Sequence, residues 1–334
     1  MSPVPNDIAV LGIGNALVDV ISQESDDLVD RLGLSKGAMQ LIDEARMAEL
    51  YSEMGPGLET SGGSAANTMA GLASLGVSAH YIGRAKDDQL GRVFAHDIRS
   101  IGVGWTQELA ADGPATGCCL VLVTPDAQRT MNTFLGASAL LHPDDVDPDL
   151  VASAGIVYLE GYLFDRPEAQ DAFRAASAAA HDAGRRVALT LSDTFCVERH
   201  RDAFRELVED HVDVLFANEA EILALYEIDD VEEAAGIAAK STPIVVVTRS
   251  ERGAIVRADG EYVSVPAEPV DEVVDTTGAG DQFAAGFLAG LSEGLPLERC
   301  ARMGAIAASE VISHIGPRPQ ADLRRLVDER LGGT

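Results

Sequence analysis

Positive charge is scarce in this sequence. Arginine and lysine together number 25 against 54 acidic residues, for a formal net charge of −29, and the lysines are only Lys36, Lys86 and Lys240. A chain this acidic is repelled by nucleic acids and anionic membranes, so we expect neither as a partner. If it binds a phosphorylated ligand, helix N-termini, a few arginines and a metal ion must supply the positive charge.

Long apolar runs and paired cysteines are also lacking. No stretch of about eighteen apolar residues occurs, so the sequence predicts no transmembrane helix. The N-terminal segment has no basic region before its apolar residues, and we interpret it as a first strand, not a signal peptide. The four cysteines show no CxxC pair and no zinc-site spacing. We therefore expect free thiols in a reducing cytoplasm.

Short apolar runs alternate with helical patterns along the chain. This rhythm predicts an α/β fold with a central, mainly parallel sheet. The predicted strands are Ile8–Ile13, His80–Ile82, Gly155–Leu159, Val187–Leu191, Val214–Phe216 and Ile244–Val247. The predicted helices include Ala65–Leu75, Gln89–Ile101, Glu168–Ala183, Ala234–Ala239, Leu297–Ile312 and Gln320–Leu331.

One region interrupts the alternation. Gly117–Thr124 and Arg129–Phe134 flank the turn Pro125-Asp126-Ala127-Gln128, which is typical of a β-hairpin. Ala16–Gln23 and Ala38–Ile42 are also short and extended in character. We predict that these pieces form a small separate sheet, which over an active site would act as a lid. The alternative is an ordinary edge hairpin.

The segment Asp275-Thr276-Thr277-Gly278-Ala279-Gly280-Asp281 carries the strongest chemical signal. It precedes a helical pattern, so Gly278, Ala279 and Gly280 lie at a helix N-terminus. Backbone N–H groups there can bind an anion, aided by the helix dipole. Asp281 beside that pocket is suited to accept the proton of an attacking hydroxyl during phosphoryl transfer. Alternatively, Asp281 is an ordinary acidic residue of a first helical turn.

A second glycine-rich turn, Gly62-Gly63-Ser64-Ala65-Ala66-Asn67, also enters a helix. Its glycines permit close approach of a ligand, and the amide of Asn67 can recognise hydroxyls. Two other nucleotide motifs are excluded. Leu17 replaces the third glycine of a dinucleotide fingerprint that begins at Gly12, and no Gly-Lys-Ser/Thr exists for a Walker A loop.

These two glycine-rich motifs, in this order, resemble the paired signatures of the PfkB family, the ribokinase-like carbohydrate and nucleoside kinases. The resemblance implies a ribokinase-like three-layer α/β/α domain spanning residues 1–334. It also implies a small β-sheet lid from about residues 16–23, 38–42 and 115–135. Within the family, Asn15-x-x-x-Asp19 is similar to the ribose-binding segment of adenosine kinase-like members.

The resemblance also implies roles for individual residues. The acceptor is expected to contact Asn15, Asp19, Gly62, Gly63 and Asn67. The catalytic group is expected to comprise Asp281, Gly278, Ala279, Gly280 and Arg129, the last reaching phosphates when the lid closes. ATP is expected to contact Asn218, Glu221, Thr248, Arg249 and Gly253, with Glu221 ordering Mg²⁺ through water. Asp275 and Thr277 correspond to positions that hold K⁺ in many relatives.

The acceptor itself is left open. Adenosine is favoured, although aromatic residues for an adenine slot are few at 5% of the chain; Tyr162, Phe164, Phe195, Leu17 and Leu41 are candidates. The alternatives are a sugar kinase of the ribokinase or fructokinase type, and a non-catalytic ligand-binding regulator of the same fold. Lys86-Asp87-Asp88 departs from the Gly-x-Asp of many relatives. The expected assembly is a monomer or a homodimer.

Overall fold

The computed structural model of the chain describes residues 8–126, 128–258 and 260–332. Its strands are β1 (Ile8–Ile13), β2 (Leu17–Gln23), β3 (Met39–Leu41), β4 (Gly57–Gly62), β5 (Ala79–Ile82), β6 (Gly117–Val123), β7 (Arg129–Phe134), β8 (Ala154–Glu160), β9 (Arg186–Thr190), β10 (Val214–Asn218), β11 (Ile244–Thr248), β12 (Ala254–Ala258) and β13 (Glu261–Val265).

The α-helices lie mainly between these strands. They are α1 (Asp26–Arg31), α2 (Glu44–Glu53), α3 (Ser64–Ser74), α4 (Gln89–Ser100), α5 (Pro148–Ser153), α6 (Pro167–Asp182), α7 (Thr194–Arg199), α8 (Arg201–His211), α9 (Glu219–Tyr226), α10 (Val231–Ala238), α11 (Ala279–Ser292), α12 (Leu297–Val311) and α13 (Leu323–Leu331). No helix among the described residues is both long enough and apolar enough to cross a membrane.

The large sheet has eight strands in the order β13-β12-β11-β10-β9-β8-β1-β5. Pairing is parallel from β5 to β11 and antiparallel at β12 and β13. The parallel strands are almost entirely apolar because helices cover both faces. One buried cluster lies under α3, α11 and α12, and a second lies under α5, α6 and α8. The predicted three-layer α/β/α architecture is confirmed.

The small sheet has five strands in the order β3-β7-β6-β2-β4. The predicted hairpin is present as the antiparallel pair β6 and β7, although its turn includes Ala127, which lies outside the described residues. Strands β2 and β3 fall within the predicted segments 16–23 and 38–42. One face of the sheet packs on the core and the other faces the main cavity. Its role as a lid, like the single domain over residues 1–334, stays a prediction.

Three strands were not predicted from the sequence. Strand β4, Gly57–Gly62, is polar and begins and ends with glycine, so it lacks strand character and forms only because it pairs with β2. Strands β12 and β13 are an antiparallel pair, and the sequence between them, Asp259-Gly260, is a dipeptide that favours tight hairpin turns, although Asp259 lies outside the described residues. Helix α13 begins at Leu323, not Gln320, because Asp322 accepts a hydrogen bond from the Arg325 amide and caps it.

Candidate active site

A cavity of about 600 Å³ lies between the small sheet and the carboxyl ends of the central strands. Side chains at or just beyond five strand ends line it: Asn15, Glu160, Thr190, Asn218 and Thr248. The inner face of the small sheet closes the opposite side with mostly apolar side chains. Ligands of doubly wound sheets bind outside the carboxyl ends of the strands, so this cavity is the candidate active site.

Asp281 lies in the first turn of α11 and lines the cavity. One carboxylate oxygen accepts a hydrogen bond from Ser64 Oγ at 2.6 Å, and the other accepts from Asn67 Nδ2 at 3.2 Å. Removal from water raises the pKa of Asp281 to about 6, the two hydrogen bonds oppose that rise, and the charge of Asp19 adds to it. A carboxylate with this pKa is ionised at neutral pH and still basic enough to accept a proton.

The predicted turn at Gly278–Gly280 opens α11 as expected. Gly278 is the N-cap residue with a φ of 80°, and Ala279 and Gly280 begin the helix. The Ala279 amide already donates to the carbonyl of Thr276 at 3.2 Å. The next amides of the first turn, those of Gly280 and Asp281, have no partner inside the helix and are the better placed donors for an anion.

Replacing Gly278 should disrupt this turn. A Cβ at Gly278 would lie 2.6 Å from Pro317 Cα, and its φ is in the left-handed region. We expect Gly278→Ala to lower the free energy of unfolding by about 1–3 kcal/mol more than a substitution without a clash. Gly184→Ala is the matched control, because Gly184 has a φ of 68° and no atom within 4 Å of an added Cβ. Equal stability losses in urea denaturation would show that packing on Pro317 is unimportant.

The predicted acceptor residues converge on one end of the cavity. Asn15, Asp19, Gly63 and Asn67 line it, whereas Gly62 lies behind Asp19 and does not. A Cβ at Gly62 would lie 2.5 Å from the Asp19 carboxyl group. Removal of Asp19 from water raises its pKa to about 6, and two nearby arginines oppose that rise.

Gly63 has a structural reason to be glycine. Its φ is 97°, and a Cβ there would lie 2.2 Å from the backbone oxygen of Asn15. The turn before α3 therefore packs directly on the segment that follows β1. This contact brings Asn67, on the first turns of α3, next to Asp281.

Two charged residues that the sequence analysis did not select belong to the site region. Glu160 is almost fully buried; its Oε1 accepts from Asn15 Nδ2 and its Oε2 from the Ala65 amide, both at 2.8 Å. Burial raises the pKa of Glu160 to about 7. The position of Glu160, directly after the predicted strand Gly155–Leu159, is the sequence signal that could have identified it. Arg318 lies behind Asn67. The only sequence signal near it is the Gly-Pro break between the last two predicted helices, which does not point to a site.

The predicted ATP residues separate into two groups. Asn218, Glu221 and Thr248 line the cavity, whereas Arg249 and Gly253 do not. Arg249 lies 4.0 Å from Glu232, and Gly253 has a φ of 80° with its backbone packed on Val265. Arg249 and Gly253 therefore contact neighbouring parts of the protein and not the cavity, and their assignment to ATP binding stays a prediction.

Glu221 was expected to order Mg²⁺ through water. Asn218 caps α9, and both oxygens of Glu221 accept hydrogen bonds from Asn218, at 2.6 and 2.8 Å. Glu221 is buried, and burial raises its pKa to about 7. With both oxygens engaged at the cavity wall, it fits contact with Mg²⁺ through water and not direct ligation.

Arg129 extends from β7 to the loop before α11. Its Nη1 donates to Asp275 Oδ2 at 2.6 Å, and both side chains are about nine-tenths buried. Asp275 also accepts from the amides of Thr277 and Gly316. Three nitrogen donors thus engage the Asp275 carboxylate, and the K⁺ site at Asp275 and Thr277 stays a prediction. Arg129 lines the cavity from this position.

Four of the five residues proposed to form an adenine slot line the cavity. Tyr162 and Phe195 line the cavity together with Leu17 and Leu41. Phe164 is not available, because it is buried against Phe173 and Phe204 in the core.

Comparison with known proteins decides the family. Residues 40–323, most of the chain, match the family described as pfkB family carbohydrate kinase. The chain belongs to the pfkB family. An adenosine kinase of Saccharomyces cerevisiae is 30% identical over 328 residues, which cover 91% of this chain and 95% of that protein.

Solved structures of pfkB-like kinases share the fold over nearly the whole chain. The crystal structure of an adenosine kinase from Sinorhizobium meliloti has 48% identity and a TM-score of 0.89, covering 97% of this chain and 99% of that one. A probable sugar kinase from Rhizobium etli has 47% identity and the same TM-score, covering 97% and 98%. The resemblance inferred from the two glycine-rich motifs is confirmed.

Proposed function

We propose that this pfkB protein is an ATP-dependent kinase of a nucleoside or sugar hydroxyl, with the 5′-hydroxyl of adenosine favoured. One observation carries the proposal. The Asp281 carboxylate, at the N-terminus of α11, shares a cavity with the Asp19 carboxylate, and Asn67 touches Asp281 from the acceptor end. A base, an anion-binding helix end and a hydroxyl-binding carboxylate thus meet at one place.

The proton transfer follows from this arrangement. The acceptor hydroxyl lies between Asp281 and the terminal phosphate of ATP, and its oxygen attacks phosphorus as Asp281 accepts its proton. The bond from phosphorus to the ADP oxygen breaks, and ADP leaves with that electron pair. Ser64 and Asn67 hold the two Asp281 oxygens, so the carboxylate does not need to reorient during the reaction.

Charge on the phosphates is balanced by the protein and by the metal. The amides of the first turn of α11 donate to the transferring group. Arg129 can exchange its partner Asp275 for a phosphate oxygen, since it already lines the cavity. Glu221 and Asn218 would hold the hydrated Mg²⁺, which neutralises phosphate charge when bound.

The cavity favours a nucleoside over a sugar without a base. Its small-sheet wall is apolar and carries Ile21, Met39, Leu41, Val121 and Met131. A flat heterocycle can bury its faces against such a wall, whereas a free sugar would leave it exposed to water. The adenosine kinases of Saccharomyces cerevisiae and Sinorhizobium meliloti support the same choice. A sugar kinase is the second candidate, supported by the Rhizobium etli relative.

A coupled assay of ADP release with ATP and Mg²⁺ tests the proposal directly. The acceptor panel contains adenosine, cytidine, guanosine, ribose and fructose, and the Asp281→Asn protein is the blank for background hydrolysis. We expect the largest kcat/KM with adenosine. A sugar as the best acceptor would support the second candidate. Absence of ATP turnover with every acceptor, with adenosine still bound, would support a non-catalytic regulator.

A further inference from the structure

Arg318 lies in the segment between α12 and α13, beside Pro317, which packs on the start of α11. Its side chain is only 16% exposed. The guanidinium donates to three elements that are distant in sequence. Its hydrogen bonds go to Asn67 Oδ1 on α3 at 3.3 Å, to Asp97 Oδ2 on α4 at 3.0 Å, and to Ser61 Oγ on β4 at 2.7 Å. Arg318 does not line the cavity.

The bond to Asn67 determines which way its amide faces. A guanidinium can only donate, so the Asn67 oxygen must face Arg318. The Asn67 nitrogen is then left to donate to Asp281 at 3.2 Å. Without Arg318 the Asn67 oxygen loses this donor, and the amide is held in this orientation from the Asp281 side only.

The charge of Arg318 also lies near Asp19, because its guanidinium donates to Ser61 and the next residue, Gly62, packs directly against the Asp19 carboxyl group. The Asp19 carboxylate is withdrawn from water, which raises its pKa, and Arg318 is the stronger of the two arginines that oppose the rise, before Arg129. Asp281 and two thiols of the small sheet, Cys118 and Cys119, also interact with Asp19. None of these supplies positive charge. An ionised carboxylate accepts hydrogen bonds from two hydroxyls, which a protonated one does poorly.

We propose that Arg318 is a positioning residue: it orients the Asn67 amide toward Asp281 and supplies positive charge beside Asp19 without touching either substrate. This inference rests on the proposed kinase function. The Arg318 side chain then has two roles: its planar guanidinium orients the Asn67 amide, and its positive charge acts on Asp19.

The test compares Arg318→Met and Arg318→Lys with Arg324→Met. Arg324 is a matched control, because it also joins a C-terminal element to the end of α3, through the carbonyl of Leu75, and to the end of α11, through Glu293, and none of these three residues lines the cavity. Steady-state kinetics with adenosine and ATP are measured from pH 5 to 9, and thermal unfolding of each variant is recorded.

For Arg318→Met we expect kcat to fall, because the Asn67 amide is no longer held toward Asp281, and the KM for adenosine to rise at least about tenfold while the KM for ATP changes less than about twofold. The acidic limb of kcat/KM for adenosine should move to higher pH, since Asp19 and Asp281 both have pKa values near 6 in the wild type and Asp19 loses its stronger cation. Arg318→Lys should restore the position of this limb but not kcat, because an ammonium lacks the planar fork.

Each other outcome decides against the inference. If Arg318→Met and Arg324→Met lose activity and stability in parallel with an unchanged pH profile, Arg318 is only a structural tie, and the kinase function stands. If Arg318→Met keeps wild-type adenosine KM and pH profile, the positioning role is wrong. If the wild type turns over no acceptor, the proposed function fails, and Arg318 has no reaction to serve.

Discussion

Asp281→Asn should fold like the wild type and lose at least about a thousandfold in kcat, the scale expected when a general base and its positioning are both removed. Asparagine has nearly the same shape and can still accept the hydrogen bond from Ser64, so the turn at Gly278 should persist. Stopped-time assays of ADP release with adenosine measure the loss. Adenosine binding, followed by calorimetry, should remain within a few fold.

The control for this variant is Asp271→Asn, the same change at an exposed position ten residues earlier. It should leave kcat unchanged. Turnover by Asp281→Asn at the wild-type level would remove Asp281 from the role of base. A variant that is inactive because it is unfolded would be recognised by its circular dichroism and thermal unfolding.

The pH dependence of the wild type provides the same test from a second direction. The pKa of Asp281 is raised from 3.8 to about 6. Since a base must be deprotonated, kcat at saturating adenosine should be full well above pH 6 and should fall about tenfold per pH unit well below it. Activity that stays flat down to pH 4.5 would contradict a base with this pKa.

Asp19→Asn should lower kcat/KM for adenosine at least about a hundredfold, because a site built to bind two hydroxyls loses strongly when one of its two acceptor oxygens is replaced by a donor and its charge is removed. The variant tests whether Asp19 binds the sugar, a role that the family resemblance implies and that its place on the cavity wall supports. The KM for ATP should change little, since Asn218 and Thr248 lie at other strand ends.

Assays with deoxyadenosines show whether the effect of Asp19→Asn depends on the hydroxyls of the sugar. The wild type and Asp19→Asn are each assayed with adenosine, 2′-deoxyadenosine and 3′-deoxyadenosine. If Asp19 binds these hydroxyls, removing the hydroxyl and changing the carboxylate cost little more together than either costs alone. Losses that multiply would show that Asp19 and the sugar hydroxyls act independently, and the assignment of Asp19 would be wrong.

The central strands and the helix after Gly278 were predictable because their signals are local. Buried parallel strands are short apolar runs, and α11 follows a glycine turn with its large residues at helical spacing. Strand β4 was not predictable, because its glycines and polar residues become a strand only through pairing with β2. The sequence between β12 and β13, Asp259-Gly260, did carry a local turn signal.

By itself, the sequence determined the fold class, the family and the residues of two glycine-rich turns. These depend on patterns within a few residues, which the chain carries before it folds. Only the tertiary structure decided that Arg129 pairs with Asp275, that Glu160 holds Asn15, and that Arg318 orients an amide 251 residues away. Such contacts arise when packed layers bring distant residues together, and no periodicity along the chain records them.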